Sequence, residues 1–196
     1  MTNRFLFKDS AKIFALLVLL ATASAAAQQA DTLREFGAVV TKVSTLRNSA
    51  ALIIGGRGGW IIDRAYAVGI EGYMLMNNIE ARIPDTSGNH LLTFSYGGLD
   101  LEYSPSLGNS FSWTLQVLVG AGSIGHKEIP YLDRRQYHDP FFVLEPSLTV
   151  EMGLMKILRL GFGAGYRGVS GLKSALASGK ELSGPSASLS LKIGFL

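Results

Sequence analysis

The 196-residue sequence contains no cysteine, which excludes disulfide bonds and an amino-terminal lipid anchor on a cysteine. Beyond residue 30 it also lacks an apolar run long enough to form a membrane-spanning helix. Even the uncharged stretch 104–126 is interrupted by Ser, Asn, Thr and Gln. An exported chain without such a helix either stays in solution or enters a membrane as a β-barrel.

The chain also carries only a small net charge. The formal net charge is +3, and residues 1–27 contribute a net +2 of it through Arg4, Lys8, Lys12 and Asp9. Because those residues belong to a segment that we expect to be removed, about +1 remains on the mature chain. The basic isoelectric point is therefore no argument for a nucleic-acid partner, and we predict none.

The first 27 residues have the organisation of a secretory signal peptide. Three basic residues precede a short apolar run at 13–20, and small residues follow it. The pattern ASAAA at 23–27 predicts cleavage after Ala25 or Ala27. Residues 28–35 then form a short polar lead-in, and a single domain is predicted over residues 36–196.

The most informative stretch is 50–76, AALIIGGRGGWIIDRAYAVGIEGYMLM, which alternates between two kinds of side chain. Large apolar and aromatic residues occupy one face, whereas glycine, alanine and the charged residues Arg57 and Glu71 occupy the other. Strict alternation predicts two β-strands joined by a short turn at 63–65. Because the charged face is the small face, the pattern indicates apolar residues towards lipid and charges towards an enclosed interior.

The same alternation recurs along the chain and predicts eight strands. These are 36–45, the two strands of the hairpin 50–76, 91–103, 111–124, 141–152, 157–169 and 185–196. After the first turn, short connections (63–65, 104–110, 153–156) alternate with long ones (77–89, 125–140, 170–184). We therefore predict an all-β, eight-stranded antiparallel up-and-down transmembrane β-barrel. A soluble lipocalin-like barrel is the alternative, but its apolar residues would face inward. Pro146 predicts a bulge or a weak strand.

Ten charged residues fall on the inward face, five of each sign, and this balance favours ion pairing in the interior. The predicted interior network comprises Arg57, Glu71, Asp100, Glu145, Arg159, Arg167 and Lys192. Lys42, Glu102 and Glu151 are expected near the barrel mouths, in contact with solvent. Arg57 and Glu71 are expected to pair across the central hairpin.

The loop GHKEIPYLDRRQYHDP supplies the candidate surface contacts, to a partner or to lipopolysaccharide phosphate. These are His126, Tyr131, Arg134, Arg135, Tyr137 and His138. Its histidines and carboxylates have no spacing that fixes them on one rigid element, so no metal site is predicted. The G-x-G-x-x-G match at 163–168 keeps the period of a strand, so no dinucleotide site or other cofactor is predicted. No Ser/His/acid set can be assigned.

Over residues 36–196 the sequence resembles the small eight-stranded outer-membrane barrels of the OmpA/OmpX type. The segments GGRGGWII, YGGLDLEY and LRLGFGAGYRG contribute to this resemblance. The terminal SASLSLKIGFL resembles the signal read by outer-membrane assembly machinery, although it ends on Leu196 with Phe195 one place earlier. The resemblance implies an outer-membrane location in a Gram-negative-type envelope, with membrane lipid, lipopolysaccharide and that machinery as partners. It implies no activity.

The sequence thus favours a monomeric outer-membrane barrel with a filled, charge-paired interior and a structural or surface-interaction role, without enzymatic activity. Two alternatives stay open: a lipid-modifying enzyme acting at the barrel surface, and a small-molecule binder or pore. The sequence does not identify the physiological role, the ligand of the loops or whether the interior conducts ions.

Overall fold

The computed structural model describes residues 34–63, 65–80, 89–105, 110–129, 138–174 and 176–194. The predicted signal peptide, most of the lead-in and the last two residues of the terminal strand lie outside these ranges. Among the described residues, no helix has the length and apolar character needed to cross a membrane.

The described residues form a closed barrel in which each strand pairs with the next in antiparallel fashion, and the last pairs with the first. This confirms the predicted fold. The strands are β1 (Arg34–Leu46), β2 (Ser49–Asp63), β3 (Tyr66–Leu75), β4 (Asn89–Tyr103), β5 (Phe111–Ile129), β6 (His138–Met155), β7 (Leu158–Ser170) and β8 (Gly184–Gly194). A one-turn helix, α1 (Gly179–Leu182), lies between β7 and β8.

The two ends of the barrel differ. At the turn end, the connections 64–65, 104–110 and 156–157 join successive strands. At the loop end a tight turn at Arg47 and Asn48 joins β1 to β2, and the longer connections 76–88, 130–137 and 171–183 join the other strand pairs. Both residues of the tight turn have positive φ, 51° and 61°, as a two-residue hairpin turn requires.

Two of the predicted long loops contain more regular structure than expected. The loop predicted over 125–140 is shortened to 130–137, because β5 continues to Ile129 and β6 already begins at His138. Gly125 pairs with His138, so the β5–β6 hairpin continues past the last residues at which large apolar and small side chains alternate. In the loop predicted over 170–184, Ser178 and Glu181 form a capping box that starts α1.

Pro146 weakens a ladder but does not shift it. Leu144 pairs with Gly168 and Ser147 with Gly165, which is one and the same register on both sides of the proline. The described β6–β7 ladder has no pair at Pro146, which has no N–H to donate. The expected weak pairing is therefore present, but there is no bulge at Pro146. The register shift of this ladder lies between Gly153 and Met155, next to the turn.

The outer face of the barrel is apolar. Large side chains on every strand are exposed there, among them Val43, Leu52, Ile70, Leu99, Val119, Leu144, Phe162 and Leu191. Near the turn end aromatic rings form a belt in which Tyr66 lies 5.0 Å from Tyr103, and Tyr103 lies 5.8 Å from Trp113, between ring centroids. An apolar band with an aromatic girdle suits contact with lipid and its polar boundary.

Two glycines on the inner face have no room for a side chain. A Cβ atom at Gly59 would collide with the carbonyl oxygen of Val68, and one at Gly98 with that of Val119. In both cases the colliding atom belongs to the backbone of the neighbouring strand, so glycine here permits a close approach of two strands.

Candidate functional site: a charge-paired interior closed by an apolar layer

All ten charged residues predicted to face inward are buried, and they are the only buried Asp, Glu, Lys and Arg residues among those described. Lys42, Glu102 and Glu151 are exposed by only 6%, 5% and 0%, so the expectation that they meet solvent at the mouths is wrong. At the turn end a small apolar cluster, formed by Phe36, Ile61 and Ala67, is also buried. The cluster adjoins the charged side chains, because Ala67 is the ladder partner of Glu102 and Lys192 Nζ lies 4.3 Å from the ring centroid of Phe36.

Arg57 is the centre of one network of ion pairs in the interior. Its Nη1 atom lies 2.7 Å from Glu102 Oε1 and 4.0 Å from Asp100 Oδ2, and its Nη2 atom lies 3.7 Å from Glu151 Oε1. Nη1 also donates a hydrogen bond of 2.6 Å to Gln116 Oε1. One guanidinium therefore connects groups from β4, β5 and β6 across the interior.

Two further cations share the carboxylates that Arg57 contacts. Lys192 Nζ lies 2.8 Å from Glu102 Oε2 and 3.5 Å from Glu151 Oε1. Arg159 Nε lies 3.2 Å from Glu151 Oε2, and its Nη2 atom donates a 2.5 Å hydrogen bond to Ser112 Oγ. Each of these two carboxylates thus has at least two cationic neighbours, which offsets the cost of burying its charge.

A second charged group lies nearer the loop end and is centred on Glu145. Its carboxylate accepts hydrogen bonds from Lys42 Nζ (2.9 Å), Tyr96 Oη (2.7 Å) and Ser186 Oγ (3.1 Å). Lys42 Nζ also lies 3.5 Å from the ring centroid of Tyr73, a cation–π geometry. Glu145 is therefore saturated by donors from three strands.

Arg57 and Glu71 are ladder partners, as the hairpin register predicts, but they do not form the expected ion pair. Glu71 Oε2 accepts hydrogen bonds from Tyr73 Oη (2.5 Å) and Gln116 Nε2 (2.9 Å) instead. Gln116 therefore bridges Arg57 and Glu71. In so narrow a barrel a side chain from across the interior is as near as a ladder neighbour, and Glu102 takes the guanidinium.

Asp100 differs from the other buried carboxylates. It is 0% exposed, and neither of its oxygens accepts a hydrogen bond from a described residue. Its nearest cationic contact is the 4.0 Å approach of Arg57. Asp100 thus has one long contact with a cation and lies beside the carboxyl group of Glu102, two positions along the same inward face of β4. We call the set Lys42, Arg57, Glu71, Asp100, Glu102, Glu145, Glu151, Arg159 and Lys192 the charged layer.

Towards the loop end the interior is apolar, which the sequence reading missed. Its inward residues form one buried cluster, the apolar layer, which includes Val40, Ile53, Leu92, Phe94, Leu118, Ile124, Phe141 and Val143. The rings of Phe94 and Phe141 stack with centroids 5.4 Å apart. Both faces of the strands are apolar in this region, so no contrast between faces marks the inner one.

The connection between β7 and β8 covers the apolar layer on its loop-end side. Leu176, Ala177 and Leu182 are buried in the same cluster. Arg167 secures the connection by donating to the carbonyl oxygens of Leu182 (2.9 Å) and Thr45 (3.0 Å). Arg167 was predicted to join the charge network. It instead neutralises no carboxylate among its described hydrogen bonds and salt bridges, and it binds backbone carbonyls of the closing segment.

Helix α1 shapes this closing segment. The Glu181 side chain accepts hydrogen bonds from the backbone N–H (2.7 Å) and hydroxyl (2.8 Å) of Ser178, and these bonds hold the pKa of the Glu181 carboxyl below its usual range. The Arg47 backbone N–H donates to Glu181 O at 2.8 Å, which ties α1 to the β1–β2 turn. The S-x-x-E pattern at 178–181 could have revealed the helix in the sequence.

A small cavity lies among the charged side chains of the interior. It has a volume of about 10 Å³ and lies beside Lys42 and Arg57, against the small residues of β6 and β8. Such a volume holds about one water molecule. The remaining lining residues are Val40, Tyr73, Gln116, Glu145, Ser147, Thr149, Ser186, Ser188 and Ser190.

The predicted surface-contact residues are only partly within the described chain. His138 is exposed at the start of β6, whereas His126 is half-buried in β5, so both lie in strands and not in a loop. Tyr131, Arg134, Arg135 and Tyr137 lie outside the described residues. The part of the chain that the structure describes contains no group of three or more His, Cys, Asp or Glu residues suited to a metal ion.

The closed eight-stranded barrel, apolar outside and charged inside, places the chain in the class of small outer-membrane β-barrels by fold. Neisserial surface protein A is similar over 82% of this chain and 96% of its own, with a TM-score of 0.55 and 9% identity. The N-terminal barrel domain of Pseudomonas aeruginosa OprF gives 0.51 and 9%, covering 84% of this chain and all 100% of that domain.

A third similar structure is Ail, the attachment invasion locus protein of Yersinia pestis, in complex with the heparin analogue sucrose octasulfate. Its TM-score is 0.52 at 9% identity, with 83% of this chain and 97% of Ail covered. No protein-family model matches the sequence, and no curated protein matches it. At 9% identity these structures show a shared fold.

Proposed function

We propose that this chain is a monomeric outer-membrane protein whose barrel is closed to ions and which acts as a structural or surface-interaction protein through its loop end. The observation that carries the proposal is the filled interior. Nine charged side chains occupy the charged layer, and the apolar layer with Leu176, Ala177 and Leu182 covers it. An ion entering from the loop end would have to pass the buried apolar side chains of this layer, which offer it no polar partner.

The location rests on the outer surface of the barrel. Its exposed apolar band and aromatic belt fit a bilayer, and a barrel satisfies all its backbone hydrogen bonds there. Export by the predicted signal peptide would bring the chain to the outer membrane, where β8 would be read by the assembly machinery. The loop end would then meet lipopolysaccharide.

Conductance of the purified mature chain in planar bilayers tests the closed interior. Insertion is checked first by protease protection and by the difference in gel migration between boiled and unboiled protein. We expect no stable open channel. A variant lacking residues 176–182 serves for comparison, since it exposes the apolar layer but leaves the charged layer in place. Large, long-lived openings of the intact chain at modest voltage would overturn the proposal.

A non-enzymatic role is part of the proposal. Glu102, Glu145 and Glu151 are engaged by cations and hydroxyl groups inside a covered interior, where a lipid substrate cannot reach them. Mass spectrometry of the lipid A and phospholipids from cells with and without the chain tests this. Identical lipid profiles are expected, and a new acylated or deacylated species would favour the enzyme alternative.

A further inference from the structure

Two histidines from different predicted segments meet inside the loop end of the barrel. His90, the second residue of β4, is buried with 5% exposure, and its ring centroid lies 5.3 Å from that of His126 on β5. The rings stand nearly perpendicular, at 86°. Leu92 is the ladder partner of His126, so the two histidines are diagonal neighbours across one strand pair.

The hydrogen bonding of His90 is incomplete. Both of its ring nitrogens are buried, and neither has a hydrogen-bond partner among the described residues. A buried imidazole normally satisfies at least one nitrogen, so this side chain requires an explanation beyond packing.

The spacing of the two rings matches joint coordination of one metal ion. Two imidazoles bound to a tetrahedral zinc ion have ring centroids roughly 5 Å apart, because each Zn–N bond is about 2.0–2.1 Å. We propose that His90 and His126 bind a divalent transition-metal ion of the zinc, nickel and copper class. Imidazole nitrogen suits these ions, whereas calcium and magnesium prefer oxygen ligands.

The surroundings of His90 and His126 indicate what kind of metal site they would form. The described residues contain no group of three or more His, Cys, Asp or Glu suited to a metal ion, so we expect water molecules to fill the remaining coordination positions. His126 is half-buried at the rim, which gives such water and the ion a route from outside. The site is therefore expected to exchange its metal, unlike a closed structural zinc site.

Copper binding to the mature barrel, prepared in detergent without a polyhistidine tag, tests the proposal. Calorimetric titration with Cu²⁺ should show saturable one-to-one binding, and the electron paramagnetic resonance spectrum should show two equatorial imidazole nitrogens. This spectrum needs only the wild-type chain, so it does not depend on the folding of any variant. Absence of stoichiometric binding, or a spectrum with fewer than two imidazole nitrogens, would overturn the proposal.

Three variants locate the site. His90→Gln and His126→Gln should each weaken Cu²⁺ binding more than about tenfold, because one imidazole remains. His138→Gln is the matched control, since His138 is exposed at the same rim, and it should bind like wild type. Unchanged binding in the double variant His90→Gln/His126→Gln, or an equal loss in His138→Gln, would contradict the assignment. Each variant is accepted only if its unboiled form keeps the gel migration of the folded barrel.

Discussion

The charged layer and the apolar layer fill the same interior by different physical means. In the charged layer most side chains are held by hydrogen bonds and ion pairs with particular partners, such as Glu102 between Arg57 and Lys192. In the apolar layer residues such as Ile124 and Phe94 are held by the volume they fill. The first kind of filling is specific and expensive to disturb from one side, whereas the second depends on packing density.

This difference has a consequence for the barrel as a whole. A bilayer provides no hydrophobic force for burying the inside of a barrel, because apolar residues gain as much by facing lipid. Ion pairs give the interior a unique arrangement, and the apolar layer excludes the water that would screen them. The two layers are therefore complementary, and single substitutions should distinguish them.

The largest effect is expected at Arg57. Arg57→Met removes the cation that faces Glu102, Asp100 and Glu151, and should lower the free energy of unfolding by about 3–5 kcal/mol. Urea unfolding of the refolded barrel in lipid vesicles, followed by the migration of unboiled samples, measures it.

Two double variants show whether direct contact or total charge matters. Arg57→Met/Glu102→Gln and Arg57→Met/Glu71→Gln have the same net charge. The first should recover part of the lost stability, because Glu102 is the direct partner at 2.7 Å, and the second should recover less. Equal recovery would mean that only the charge balance of the charged layer matters.

A cavity in the apolar layer should have the next largest effect. Ile124→Ala removes a fully buried side chain that pairs with Phe94, and should cost about 2–5 kcal/mol. The control is Val119→Ala on the opposite face of β5, where lipid chains fill the space and the loss should be smaller. Combined with Arg57→Met, the cost of Ile124→Ala should simply add, since the residues belong to separate layers. Strong coupling would show that the two layers are not independent.

The inward residues of the charged layer could be predicted from the sequence, whereas those of the apolar layer could not. Alternation identified the fold, the outward apolar side and the inward direction of all ten charges, but it wrongly left Lys42, Glu102 and Glu151 in solvent. It could not identify the partners, since Arg57 meets Glu102 from two strands further along the barrel and bypasses its ladder neighbour Glu71. Contacts across the interior depend on strand stagger, which no local pattern encodes.

The apolar layer and the histidine pair were missed for related reasons. Where both faces of a strand are apolar, as around Leu92 and Phe94, period-two reading gives no inner side. His90 and His126 lie just outside the predicted strands 91–103 and 111–124, because the alternation fades there, although β4 and β5 include both residues. Their diagonal contact follows from the register of that pair, which only the structure supplies.

The smallest effect is expected inside the charged layer, at Asp100. Asp100→Asn keeps the size of the side chain and removes no hydrogen bond donated by a described residue, so the free energy of unfolding should change by less than about 1 kcal/mol. Glu102→Gln is the matched comparison, two positions along the same inward face of β4. It leaves Arg57 and Lys192 without their short contacts and should cost about 3–5 kcal/mol. Urea midpoints of the two single variants, measured side by side, decide the matter. If Asp100→Asn costs as much as Glu102→Gln, then burial of a charge in this layer, and not its contacts, determines its contribution, and the contrast between the layers would have to be drawn differently.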